Sequence, residues 1–117
     1  MKRVVFLVRT PPYGSAAISE STRTCLGLSA MSFDLSYVLM DDATWAILPQ
    51  QRPELIEGND VLALITGLAE LDVKLHVCSE GLAERGLSAT DLRPEFSPVS
   101  REGIADLIAQ ADVVLTY

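Results

Sequence analysis

Four short apolar runs, spaced by stretches that look helical, constrain the fold more than any other feature of this chain. They are "RVVFLVR" (3–9), "DLSYVLM" (34–40), "VKLHVC" (73–78) and "DVVLTY" (112–117). Runs of this length, rich in valine and leucine, read as strands buried on both faces, which is the signature of a parallel sheet. Between them, residues 15–32, 60–71 and 101–110 read as helices. Ser15 and Ser100 stand where a side chain caps the first turn. In the first helix Ile18, Cys25, Leu26 and Leu28 supply the apolar side. Gly67 inside the second helix costs about 1 kcal/mol against alanine, and close packing is the expected reason for it.

Shorter elements fill the rest. "DDATWAILP" reads as a turn and a short helical segment stopped by Pro49, and "QQRPELIEGN" as a connector. "SEGLAERG" reads as a short helix closed by Gly86, and "LSATDLRP" as a loop. "EFSPV" is a fifth, edge strand because of Pro98. Repeated strand–helix–strand units imply one doubly wound α/β domain spanning 1–117, with about five mostly parallel strands and helices on both faces. At 117 residues and 49% apolar, the chain has the material for one well-buried core. There is no internal repeat or low-complexity tract.

Several function classes are set aside. The apolar runs are strand-sized, too short to cross a membrane. The start, "MKRVVFLVRTPPYG", lacks the long apolar core of a signal peptide, so a cytoplasmic protein is expected. A formal net charge of −7 opposes binding to phosphate backbones and suits a basic protein partner or solubility. The two cysteines lack a CxxC spacing, which argues against zinc, and His76 is the sole histidine. No metal or organic cofactor is expected.

In open parallel sheets, sites lie at the carboxyl ends of the strands. Those ends are Arg9 to Gly14, Asp41 to Trp45 and Cys78 to Gly81, three polar or reactive clusters on one rim. Cys78 stands at a strand tip just before a helix start, where free N–H groups and partial positive charge favour a thiolate. It reads either as a nucleophilic or persulfide-carrying sulfur or as an inert strand-end cysteine. His76, two residues earlier, shares its strand face; it is a possible activator or a packed histidine. Cys25 reads as core. Asp41–Asp42 reads as a turn cap or, less simply, as ligands to a divalent cation. Tyr13 and Trp45 are either partner contacts or core covers. "PPYGSA" sits where phosphate loops occur, but it has one glycine and no following lysine, so it matches neither Walker A nor GxGxxG. The rim set is therefore Cys78 for chemistry, with Arg9, Tyr13, Gly14 and Ser79 as binding residues.

Three stretches in register carry a resemblance: "RTPPYGSAA", the D-x-x-W-x-x-L-P-x-Q-x-P pattern from Asp42 to Pro53, and C-x-x-x-L-x-x-R-G-L from Cys78 to Leu87. Together they resemble the DsrE/DsrF-like sulfur-relay family, on its DsrF/TusC-type branch, over nearly the whole chain. The resemblance implies a subunit that joins DsrE/TusD-type and DsrH/TusB-type subunits in a hetero-oligomer. Such a complex passes sulfane sulfur, as a cysteine persulfide, to a small sulfur-carrier protein, for tRNA 2-thiouridine synthesis or for sulfur oxidation. Cys78 falls at the position of the sulfur-accepting cysteine of the DsrE/TusD type. Two other readings remain open: a non-catalytic structural subunit that scaffolds an active DsrE/TusD-type partner, and a small-ligand or nucleotide-binding module; self-association is the alternative to the hetero-oligomer.

Overall fold

A computed structural model describes residues 1–48 and 61–117. Each of the four apolar runs contains a strand: β1 (Lys2–Val8), β2 (Phe33–Leu39), β3 (Lys74–Cys78) and β5 (Val113–Thr116), with β4 (Phe96–Val99) before the last. All pair in parallel, in the order β4-β3-β2-β1-β5. β4 lies at an edge as Pro98 requires, since proline has no N–H to give to a ladder.

Side chains alternate across the sheet, and each face has its own core. Val4, Phe6 and Val8, with Leu35, Tyr37 and Leu39, and with Leu75, Val77 and Phe96, bury one face beneath α1 (Ala17–Ser29) and α2 (Val61–Ala69). Val5, Leu7, Val38 and Cys78 bury the other against Ile104 of α4 (Arg101–Gln110). The doubly wound, two-faced architecture expected from the alternation is what the chain forms. α3 (Ser79–Glu84) follows β3 directly. Its end is a left-handed Gly86 (φ 70°) with the Leu87 N–H donating back to the Leu82 carbonyl at 2.9 Å, a helix stop glycine makes without strain. Ser100 caps α4, its Oγ accepting from the Gly103 N–H at 3.0 Å.

Three details depart from expectation. α1 is shorter than 15–32, and Leu26 lies on its solvent side, 54% exposed. Its buried side is Ile18, Ser21, Thr22 and Cys25. The two polar members are satisfied: Ser21 Oγ pairs with Tyr37 Oη at 2.7 Å, and Thr22 Oγ1 donates to the Ile18 carbonyl at 2.8 Å. Gly67 is not closely packed, because a Cβ there would meet nothing within 4 Å; it lines an open groove between α1 and α2. Pro49 and the 50–59 connector lie outside the described residues. Cys25 is fully buried in the core, as expected.

Candidate functional site

The register of the sheet builds the rim. Leu39 sits opposite Val8 on one side and Val77 on the other. One step further along, Arg9, Met40 and Cys78 therefore follow at the carboxyl ends of β1, β2 and β3, all on the α4 face. Cys78 lies opposite Val99 at the end of β4. The row begins at β1, beside which the strand order reverses, and Cys78 on β3 lies two strands away from it.

Each expected site residue has a definite place. Arg9 Nε donates to Asp41 Oδ2 at 2.7 Å, which holds Asp41 in a left-handed conformation (φ 52°) that aspartate tolerates better than most residues. Gly14 adopts φ 95°, a turn suited to glycine, and Tyr13 packs partly buried against the core. Ser79 opens α3, half-buried. Trp45 keeps 38% of its surface exposed. A 3-10 segment, Asp41–Ile47, runs from the tip of β2 and packs against α3. It is anchored there by Arg85, which reaches Asp42 Oδ1 at 2.9 Å and the Gly81 carbonyl at 3.1 Å. Both acids of the Asp41–Asp42 pair are thus engaged by arginines. Among the described residues no three His, Cys, Asp or Glu side chains come together to hold a metal ion.

Cys78 occupies the N-cap position of α3. Its Sγ accepts from the Gly81 N–H at 3.4 Å and lies 3.8 Å from Glu80 Oε1. Only 1% of the residue is exposed, so the thiol is not open to solvent in the isolated chain. Besides the apolar cluster it packs in, Glu80 and Arg101 are its charged neighbours. The Glu80 carboxylate accepts from the Arg101 N–H at 3.0 Å, and the Arg101 guanidinium pairs with Glu84. The N–H of Glu80 itself, then the N–H and positive charge of Arg101, hold the Glu80 carboxyl below the usual carboxylate range. Arg101 also lies within electrostatic reach of the Cys78 sulfur. Beside Arg101 a recess of about 220 Å³ opens, lined by Arg9, Met40, Arg101 and Ile104 among others. Met40 and Ile104 also pack in the cluster that holds Cys78.

His76 is on the same face as Cys78, but the two are not joined by a hydrogen bond. Its Nε2 is buried without a partner among the described residues, and burial, aided by the charge of Lys74, lowers its pKa. It lines a second recess with Arg3, Asp34 and Lys74, toward the amino ends of the strands.

The arrangement brings one sulfur and one amide donor together at a strand tip, with a guanidinium in electrostatic reach and, 3.8 Å from the sulfur, a carboxylate of the same charge as a sulfur anion. An N–H and a nearby arginine are the groups that serve a sulfur anion. Glu80, Thr44 and Arg101 were not singled out by sequence reasoning. Arg101 carried a signal, since it follows β4 on the same rim as the other strand ends. Thr44 lay within the Asp41 to Trp45 cluster assigned to the rim, but nothing marked it inside that cluster, because its contact with α3 depends on how the 3-10 segment packs.

The family model described as "DsrE/DsrF-like family" matches residues 2–117. Protein TusC of Escherichia coli (strain K12) and Protein TusC of Shigella sonnei (strain Ss046) are each 32% identical to this chain, over the full length of both proteins. Among solved structures, the ychN protein from E. coli superposes with a TM-score of 0.88 at 28% identity, covering all of both chains. MTH1491 from Methanobacterium thermoautotrophicum, a protein of unknown function, superposes with a TM-score of 0.70 at 16% identity, again over both whole chains, and shares the fold.

Proposed function

Because the chain belongs to the DsrE/DsrF-like family, we propose that it works as a subunit of a cytoplasmic sulfur relay in which Cys78 holds sulfane sulfur as a persulfide. The observation that carries the reading is the place of Cys78: a strand-tip N-cap, with the Gly81 N–H on its sulfur and Arg101 nearby. The likeness to TusC supports the assignment to a relay that serves tRNA thiolation; sulfur oxidation is the other destination in the family. Partner subunits of the DsrE/TusD and DsrH/TusB types complete the assembly, and a small carrier protein takes the sulfur onward. Both cysteines are free, which fits a reducing compartment.

The chemistry is thiol exchange. The Cys78 thiolate attacks the outer sulfur of a donor persulfide. A new S–S bond forms at Cys78, the donor S–S bond breaks, and its electron pair leaves with the donor thiolate. The acceptor thiolate repeats the step on Cys78. The transferred sulfur keeps its oxidation state, so no external oxidant or reductant enters. The Arg101–Glu84 contact is a surface ion pair, worth little on its own, and it opens together with the Arg101 N–H to Glu80 hydrogen bond to admit the donor.

A second reading has one observation in its favour. A sulfur that is 1% exposed suits a scaffold subunit whose cysteine does no chemistry. Alkylation of the native protein with iodoacetamide separates the two. The relay reading expects Cys78 to be modified under native conditions while Cys25, sealed in the core, reacts only after denaturation. Equal protection of both cysteines favours the scaffold.

A further inference from the structure

Thr44 presents an anomaly next to Cys78. The residue is fully buried, and its Oγ1 has no hydrogen-bond partner among the described residues. Buried hydroxyls are nearly always paired, and an exception calls for a physical reason. The surroundings supply one. A Cβ built on Gly81 would lie 3.0 Å from Thr44 Oγ1, 3.4 Å from Cys78 Cβ and 3.7 Å from Cys78 Sγ. The hydroxyl and the sulfur therefore lie on the same side of Gly81, where a side chain would crowd the hydroxyl. A persulfide adds an outer sulfur about 2.0 Å beyond Sγ, an acceptor of the kind the hydroxyl lacks among the described residues.

We propose that Thr44 Oγ1 donates a hydrogen bond to the outer sulfur of a Cys78 persulfide and so positions it for transfer, with Gly81 keeping the space between them open. The inference rests on the persulfide reading of Cys78 given above. It gives a partner to a buried hydroxyl that has none among the described residues: the outer sulfur of the cargo. No group other than the sulfur already in transfer is needed, and no bond to Thr44 forms or breaks.

The test loads the purified chain with glutathione persulfide and follows the extra sulfur by intact-protein mass spectrometry as added thiol removes it. Thr44→Val keeps the shape and deletes the hydroxyl, so a purely structural residue gives an unchanged or higher melting temperature and unchanged sulfur retention. The proposal expects the melting temperature unchanged or higher but the persulfide lifetime at least threefold shorter. Thr44→Ser, which restores a hydroxyl, is expected to recover most of that lifetime, and Gly81→Ala to reduce loading. Should Thr44→Val fold poorly, Thr44→Ala is scored by the same criterion. A valine or alanine variant that holds sulfur as long as the unaltered chain overturns the role of Thr44 alone. An unaltered chain that gains no sulfur at Cys78 overturns the persulfide reading, and this inference with it.

Discussion

The two cysteines show what surroundings do to one functional group. Cys25 is walled in by the apolar core, and burial pushes its thiol up to about 11 from 9.0. In the unfolded chain it ionises near 9.0, while in the folded chain it stays protonated. Its contribution to stability is therefore complete below pH 9 and is lost as pH rises toward 11, at up to about 1.4 kcal/mol per pH unit. Tyr37, its pKa also raised by burial, adds to the loss at higher pH. Urea unfolding measured from pH 8 to 11 is expected to show this decline, and Cys25→Ala to flatten it between pH 9 and 11; an equally steep decline in the variant contradicts the assignment. Cys78 is as well covered, yet polar groups lie against its sulfur, which is the contrast on which the chemistry proposed for it depends. That Cys25 is core was legible from its apolar neighbours. The contacts of Cys78 with Gly81 and Glu80 were half legible, in the four residues "CSEG". Thr44 was not, because only the folding of the 3-10 segment against α3 brings it there.

At the scale of elements, the strands were legible because each is a dense apolar run bounded by turn residues. α1 was harder to read, since Ser21 and Thr22 take core positions and hide the apolar period; they are admitted because Tyr37 and the Ile18 carbonyl satisfy them. The helix starts bear on the site through α4, whose first residue, Arg101, gives its N–H to the Glu80 carboxylate beside Cys78. A Cβ on Gly103 would lie 2.6 Å from Val99 Cγ2, and valine has little rotamer freedom with which to yield. Gly103→Ala is expected to destabilise by about 1–3 kcal/mol in denaturant unfolding, even though alanine is the better helix former; a neutral or stabilised variant contradicts this packing. The link between α3 and α4 is testable separately. Glu84→Gln removes the charge that holds the Arg101 guanidinium, and Cys78 is expected to react with iodoacetamide several-fold faster while Cys25 stays protected. An unchanged rate shows that the cover is not held by this pair.

On the scale of the whole molecule, an all-parallel sheet with cores on both faces sets three strand tips in a row, and family membership gives that row a meaning. The formal charge of −7 weighs against binding to nucleic acid: affinity for phosphate backbones comes mainly from cations that release counterions, and six of the nine basic residues, Arg3, Arg9, Lys74, Arg85, Arg93 and Arg101, are paired with acids. The isolated chain is therefore expected not to retard tRNA in a gel at about 0.15 M salt, leaving any link to thiolation to run through protein partners; a salt-sensitive shift at micromolar protein contradicts that. The central claim is narrower and sits on one atom. Intact-protein mass spectrometry of the purified chain after incubation with a persulfide donor, beside Cys78→Ser and Cys25→Ser, tests it most directly. The account predicts a reducible gain of one sulfur that survives in Cys25→Ser and vanishes in Cys78→Ser. A folded protein that gains nothing, or gains the sulfur at Cys25, contradicts it.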